Sequence, residues 1–327
     1  MPPRGKLTQA EKRAARQRER DLAEAGGQRD RDRDRDRDRG RDRAEAGGQT
    51  AEHVPQGPPR CPRSAVRQSK LNAKLHAAAS KGNTRRVEDL ISRGASVDSG
   101  DESNHGLTAL MLAAQGGHID VVNALAGRYN ANVEAVCRHG YTALMWAANR
   151  GHTDTVNALA GTHNANVEAV GPNGGTALMV AVEQGHTAIV NALAGTHNAN
   201  VDAVDDEGWT ALMAAVEQGH TATVNALAGT YNANVEAANE DGITALMLAA
   251  VTGHTDVVNL LAGTHNANVD AANEDGKTAL MHATDRGHTG VVNALRRHGA
   301  SMPDDGITAL SAGLRRMMSP RSTTRRQ

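Results

Sequence analysis

The sequence predicts an all-α fold, an α-solenoid of stacked helix-turn-helix repeats carrying short β-hairpin-like fingers. Three observations predict it. A Thr-Ala-Leu block begins at Thr108, Thr142, Thr176, Thr210, Thr244 and Thr278, each 34 residues after the last. A Gly-His doublet keeps the same beat at His118, His152, His186, His220, His254 and His288. Two apolar columns run in register with both: Leu110, Leu144, Leu178, Leu212, Leu246, Leu280 and Leu310, and Val122, Val156, Val190, Val224, Val258 and Val292. Independent signatures sharing one period define a repeat array, in which each unit buries its apolar face on the next.

One unit, Gly140 to Val170, shows how each element arises. Thr142 is a good N-cap, and Ala143 to Arg150 follows without a breaker. Gly151 then ends the first helix in a left-handed conformation. A second short helix is expected from about Asp154 to Ala160, with Asp154 at the favourable end of its dipole and Gly161 stopping it. Helices this short are unstable alone, because nucleation costs more than so few hydrogen bonds return. After them, His163 to Ala169 and a polar segment ending at Asn173-Gly174 read as an extended finger with a tight turn. Asn130, Asn164, Asn198, Asn232 and Asn266 share one position that is Gly94 and Gly299 in the flanking units. Gly and Asn both tolerate positive φ, so this is a backbone requirement.

The unit TALMxAAxxGHxxVVNxLAxxxNANV resembles the ankyrin repeat, over about Leu71 to Leu314. The entry segment Lys74 to Asp98 fits that family's ordinary form closely. The family's Thr-Pro-Leu-His opening is Thr-Ala-Leu-Met here, with His kept at Leu75-His76. Interior units carry one extra residue in LAGTxNAN, which predicts a lengthened loop after the second helix. The Asn that often follows the family's finger Val is Glu134, Glu168, Asp202, Glu236 or Asp270 here, so the family's Asn hydroxylation is not carried over.

In chain order, residues 1–70 are expected to be a disordered head. Thr8 to Ala25 could form a solvated helix through a Thr8-x-x-Glu11 capping box. Arg29 to Arg39 alternates Arg and Asp, which sets like charges at i,i+4 and disfavours helix. Val54 to Arg63 is a Pro-rich linker. Residues 71–318 form the repeat domain: a charged N-terminal cap (71–104), five near-identical units (105–138, 139–172, 173–206, 207–240 and 241–274), a seventh unit (275–304) and a partial C-terminal cap from Gly306 to Met318. The cap residues Lys81, Arg85, Arg86, Glu88 and Asp89 are expected to face water. Residues 319–327 are expected to be a disordered basic tail, with Ser319-Pro320 a short phosphorylation pattern of the kind that recurs by chance.

Composition narrows function. Cys61 and Cys137 are the only cysteines, which argues against a disulfide scaffold and for a reducing compartment. No apolar run reaches membrane-spanning length, and MPPRGKLTQAEKR lacks the apolar core of a secretory signal. The cytoplasm is the expected location, with the nucleus an alternative. A net charge of −1 hides a basic head (19 Lys/Arg against 12 Asp/Glu in 1–70) and an acidic body (12 against 25 in 71–310). The last 17 residues carry five Arg and no acid.

Fifteen histidines invite a metal reading, but Gly-His doublets one repeat apart are about 10 Å from each other. Zinc–nitrogen bonds of about 2 Å cannot bridge that. They read instead as hydrogen-bonding bridges between units. No nucleophile triad, phosphate loop or cysteine-rich ligand set is present, so no catalytic residue, metal or cofactor is expected and an enzyme is excluded from the reading. The Arg-Asp tract has no aromatics to stack on bases and cancels its own attraction for phosphate, so nucleic acid is not an expected partner.

What remains is a protein-interaction module or scaffold, expected to be monomeric. Trp146 reads as inter-repeat packing. At the finger base Leu107, Tyr141, Gly175, Trp209, Ile243 and Lys277 vary between otherwise copied units, the pattern of a solvent-facing position. The resemblance implies a concave groove lined by finger tips, finger bases and first-helix ends. Here these are Arg138, His139, Tyr141, Asn149, Arg150, Asn173, Glu183, Gln184, Asp206, Glu207, Trp209, Glu217, Gln218, Glu240, Asp241, Ile243, Glu274, Asp275 and Lys277. Charge along that row turns from basic to acidic, so a basic peptide or protein surface is the expected occupant. Two alternatives are basic tails docking on the acidic repeats, and an RNA-associated adaptor using the Arg-Asp tract.

Overall fold

A computed structural model of the 327-residue chain describes residues 63–301. Seven helix pairs follow one another. They are α1 (Arg63–Ala79) with α2 (Thr84–Ser92), α3 (Ala109–Gln115) with α4 (Ile119–Val122), α5 (Ala143–Arg150) with α6 (Thr153–Asn157), and α7 (Ala177–Glu183) with α8 (Thr187–Asn191). Then come α9 (Ala211–Glu217) with α10 (Thr221–Asn225), α11 (Ala245–Thr252) with α12 (Thr255–Asn259), and α13 (Ala279–Arg286) with α14 (Thr289–Arg297). The expected C-terminal cap, the Arg-Asp tract and Ser319 lie outside the described residues. Helix α1 begins at Arg63, eight residues before the expected domain start at 71, so the last part of the assigned head is helical.

The first helices form as the residues require. Each interior Thr accepts the N–H of the Met three residues on, at 3.2–3.4 Å. Gly151 closes α5 at φ 81°. Leu110 through Leu280 and Val122 through Val258 are buried, so apolar stacking between units supplies what the short helices lack. Val292, in the last described pair, is only partly buried.

The second helices depart from expectation. The extra residue of the interior units does not lengthen a loop. It enters the helix itself as a π-turn at Asn123–Arg128, Ala158–Thr162, Ala192–Thr196, Ala226–Thr230 and Leu260–Thr264. Gly161 therefore sits inside a helical turn rather than stopping one. His163 N–H donates to Ala158 O across five residues at 3.0 Å, the π register. The closing bond shows where the residue went: Ala165 N–H reaches Leu159 O over six residues, whereas Ala95 N–H in the first unit reaches Leu90 O over five. In both cases a positive-φ residue ends the element, Asn164 at 51° and Gly94 at 94°.

Three ladders of hydrogen bonds join consecutive units. Each Gly-His imidazole donates to a carbonyl near the end of the preceding first helix, as in His152 Nε2 to Gln115 O (3.1 Å) and His254 Nε2 to Glu217 O (3.2 Å). A second ladder links His163 to Asn123 Oδ1 (2.9 Å), His197 to Asn157 Oδ1 (3.1 Å) and Tyr231 to Asn191 Oδ1 (3.1 Å). The third uses the acidic residue after each finger Val. The carboxylates of Asp98, Glu134, Glu168, Asp202 and Glu236 accept the backbone N–H of Asn132, Asn166, Asn200, Asn234 and Asn268, each at 2.8 Å. Among the charged residues of the first unit, Glu88 faces the next repeat rather than water, in an ion pair with Arg128.

The glycines of the Gly-His doublets at Gly117, Gly151, Gly185, Gly219 and Gly253 are fixed by the next unit's imidazole as well as by φ, whereas Gly287, in the last described pair, is fixed by φ alone. A Cβ on Gly117 (φ 67°) would lie 2.5 Å from His152 Nδ1, whereas one on Gly276 (φ 72°) would meet nothing within 4 Å. Gly276→Ala is expected to cost the left-handed strain alone, about 1–2 kcal/mol. Gly117→Ala must also displace His152 from Gln115 O, so its urea midpoint should fall further. Equal midpoints would show that the imidazole yields at no cost.

Candidate functional site

Four of the fingers carry a single antiparallel bridge, Asp101 with Leu107, Val204 with Thr210, Ala238 with Thr244, and Ala272 with Thr278, and those at Cys137 and Gly171 are closed by a backbone bond to Tyr141 O and Gly175 O. Asx clamps tighten the turns. Asp205 Oδ1 accepts the N–H of Glu207 (2.9 Å) and Trp209 (2.8 Å). Asn239 Oδ1 does the same for Asp241 (3.1 Å) and Ile243 (2.9 Å). Neighbouring tips are joined through backbone: Arg138 N–H to His105 O (2.9 Å), Asp206 N–H to Asn173 O (2.9 Å) and Glu240 N–H to Glu207 O (3.4 Å). These bonds join the tips at His105 and Arg138 into one run and those at Asn173, Asp206 and Glu240 into another, so they are not independent loops.

One contact shows which elements share a face. Lys277, at a finger base, places Nζ 2.7 Å from Asp285 Oδ2 near the end of first helix α13. By the 34-residue repeat, Tyr141 and Asn149, or Ile243 and Val251, stand in the same relation. Arg138, Arg150, Asn173, Glu183, Gln184, Asp206, Gln218, Glu240, Asp241, Glu274 and Asp275 are exposed along this strip. His139, Tyr141, Asn149, Glu207, Glu217, Ile243 and Lys277 are half-buried.

Trp209 is the correction. It is 2% exposed and part of the core, so it does not stand in the groove as a solvent-facing anchor. The bridge at Thr210 and the Asp205 clamp turn the chain at this point, and the indole is buried in the core. Leu107 is buried at the same position, and Tyr141 and Ile243 pack against the core. Variation there reflects how the margin under each finger is filled. The rings of Tyr141 and Trp146 lie 5.4 Å apart, with Trp146 buried as expected of a packing residue.

Two features of the strip were missed. Val136, Val170 and Val204 are 60%, 67% and 56% exposed, one per repeat. Their signal is the NVEAV or NVDAV string, in which a valine recurs at a position that is Ala238 and Ala272 later on. The second concerns charge. Arg138 is ion-paired with Glu102, which tempers the basic start, and the His105 and His139 rings lie 4.4 Å apart, tilted by 48°. From residue 151 to residue 276 the sequence contains fifteen Asp and Glu and no Lys or Arg.

Histidine chemistry is muted. Burial pushes His163 below its ordinary range. Burial lowers His282 as well, and the Lys277 ammonium adds to it. Among the described residues no three His, Cys, Asp or Glu side chains are grouped to hold a metal ion. Among the same residues no helix is long and apolar enough to cross a membrane.

The family model described as "Ankyrin repeats (3 copies)" matches residues 75–170, 162–239 and 230–305. The chain belongs to the ankyrin-repeat family. Its ankyrin stack is also similar in structure to the crystal structure of the human ASB11 ankyrin repeat domain. That match has 27% identity and a TM-score of 0.59, and covers 70% of this chain and 99% of that one. In all, 621 chains of solved structures match, a breadth at which the fold alone does not name a function. The sequence has no significant match among curated proteins. Ankyrin repeats are in general protein-protein interaction modules, and that class of function holds for this chain.

Proposed function

We propose that the finger and first-helix strip binds a protein segment that combines basic and apolar side chains. The observation that carries this reading is the run of fifteen acids without a single Lys or Arg between residues 151 and 276. Glu183, Asp206, Glu240, Asp241, Glu274 and Asp275 are its exposed members on the strip. A field of one sign selects a partner of the opposite sign and speeds its encounter. Val136, Val170 and Val204, together with the edge of Tyr141, offer apolar contact toward the early repeats, so the partner's apolar side chains lie there and its Lys and Arg farther along. Hydrogen-bonded rows of fingers hold this surface in place before binding, which lowers the ordering cost of association. No catalytic step is assigned to it.

The test is a titration of a fluorescent Lys/Arg-rich peptide carrying interspersed Leu and Val into the full chain. Reversing Asp206, Glu207, Glu240 and Asp241 to Lys is expected to weaken binding about ten- to a hundredfold at low salt. Each exposed charge contributes about 0.2–1 kcal/mol, and salt should erode the difference. Affinity unchanged by the reversal would remove the acidic strip from the binding site. The five-Arg segment 311–327 satisfies the same charge rule from within the chain. Tighter peptide binding after its deletion would identify it as a competing occupant.

A further inference from the structure

We propose that Asn173 is a site of spontaneous deamidation, which converts the third finger tip of the row from an amide to a carboxylate. Asn173-Gly174 is the only Asn-Gly pair in the sequence. The reaction needs the backbone nitrogen of the following residue to reach the Asn side-chain carbon, and glycine presents no side chain to block that approach. Asn173 is exposed to water. It is also held at φ 58°, in the left-handed region that Asn adopts more readily than other residues with side chains.

This finger is less restrained than its neighbours in three ways. Where other fingers have Asp205 or Asn239 clamping the turn through Oδ1, it has Gly171, which has no side chain to clamp with. Where Arg138, Asp206 and Glu240 donate their N–H to the preceding tip, it has Pro172, which has no N–H to give. The attacking nitrogen is itself held more loosely. Gly174 N–H donates to Gly171 O at 3.2 Å, whereas Gly140, Gly208, Gly242 and Gly276 make the equivalent bond at 2.8–2.9 Å. The Cys137 finger also lacks a carboxylate clamp, but its Gly140 bond is 2.8 Å and its tip residue is His139, which cannot undergo the reaction.

The chemistry balances with water as the only co-reactant. The Gly174 amide gives its proton to solvent base, and its nitrogen bonds to Asn173 Cγ. The Cγ–Nδ2 bond breaks, and ammonia leaves from a cyclic imide. Water then opens the ring. Cleavage of the nitrogen–Cγ bond gives aspartate, and cleavage at the backbone carbonyl gives isoaspartate, with the chain rerouted through Cγ. Nothing is oxidised or reduced.

The position of the new charge is informative. Residues preceding the finger-tip Gly read His105, His139, Asn173, Glu207, Asp241 and Asp275 along the row. Deamidation makes the third of these acidic and extends the carboxylate run by one repeat. Asp206 already donates its N–H to Asn173 O from the adjoining finger, so the new group joins an existing patch. Its effect on ligand affinity rests on the binding reading above; the modification itself does not.

The full-length protein, incubated folded at mildly alkaline pH, would be mapped by peptide mass spectrometry and by an isoaspartate assay. Conversion is expected to concentrate at Asn173, to vanish in Asn173→Gln, and to proceed within about tenfold of its rate in urea, because little must open first. Conversion no faster than at Asn166 or Asn200, or full protection in the folded state, would overturn the proposal. Separately, Asn173→Asp is expected to tighten the basic peptide about two- to fivefold at low salt. If conversion occurs and affinity does not move, the binding reading fails and the modification site stands.

Discussion

Replacing Trp209 with alanine is expected to lower the free energy of unfolding by about 3–5 kcal/mol, the range for truncating a buried aromatic residue. The indole is 2% exposed within the core, so its removal leaves a cavity beside the Asp205–Trp209 finger as well as losing transfer energy. The finger shares the cost, because Trp209 N–H is held by Asp205 Oδ1 at 2.8 Å and Asp205 N–H by Trp209 O at 3.0 Å. Urea unfolding followed by far-ultraviolet circular dichroism measures the loss. Tyr141→Ala, at the equivalent but half-buried position, should lose less. Similar small losses for the two would mean that Trp209 does not fill the core. The variant matters for function too: weaker partner binding by Trp209→Ala would report a loosened finger and not a lost contact.

Leu212→Ala is expected to cost about 2–5 kcal/mol, and the form of the loss should depend on its place in the stack. Leu212 is 1% exposed in α9, with helix pairs on both sides. Stability of such an array is the sum of unit and interface terms. A weak unit in the middle therefore uncouples the two flanks, and a single unfolding transition should become two. Leu280→Ala, in the last described pair, removes the same side chain at the margin and should loosen that end while the remainder melts as one. Hydrogen exchange separates the cases: protection falling on both sides of α9 in the first, and only around α13 and α14 in the second. One unshifted transition for Leu212→Ala would contradict the burial.

Much of this molecule was legible in the residues because the relevant forces are local. Thr142 and Gly151 mark the ends of α5 through capping and positive φ, and both act within one turn of the residue concerned. The Gly-His bridges were legible from spacing and the length of an imidazole. The destination of the extra residue in LAGTxNAN was not. A longer loop and a π-turn both deliver Asn164 to the same left-handed position, and only backbone register tells them apart. Trp209 misled because variation between copies marks freedom from identical neighbours, which a core margin allows as readily as solvent does. The carboxylate ladder left no trace since Glu134 meets a backbone N–H, and any residue but proline carries one. Within the candidate strip, finger tips and helix ends followed from the repeat, while the valines and the cation-free stretch required attention to what the copies share.

That last ladder bears on how the gene for such a protein can change. Each unit grips its successor through a carboxylate on one side and main chain on the other, so the joint does not depend on which copy follows. Units can be duplicated, deleted or exchanged in multiples of 34 residues and still fit at both seams. Finger-tip residues such as His139, Asn173, Glu207 and Asp241 take no side-chain part in that ladder, so they can diversify as the array lengthens. The fold separates assembly from recognition, and lineages carrying this chain can alter reach and selectivity by changing copy number before any contact residue is substituted.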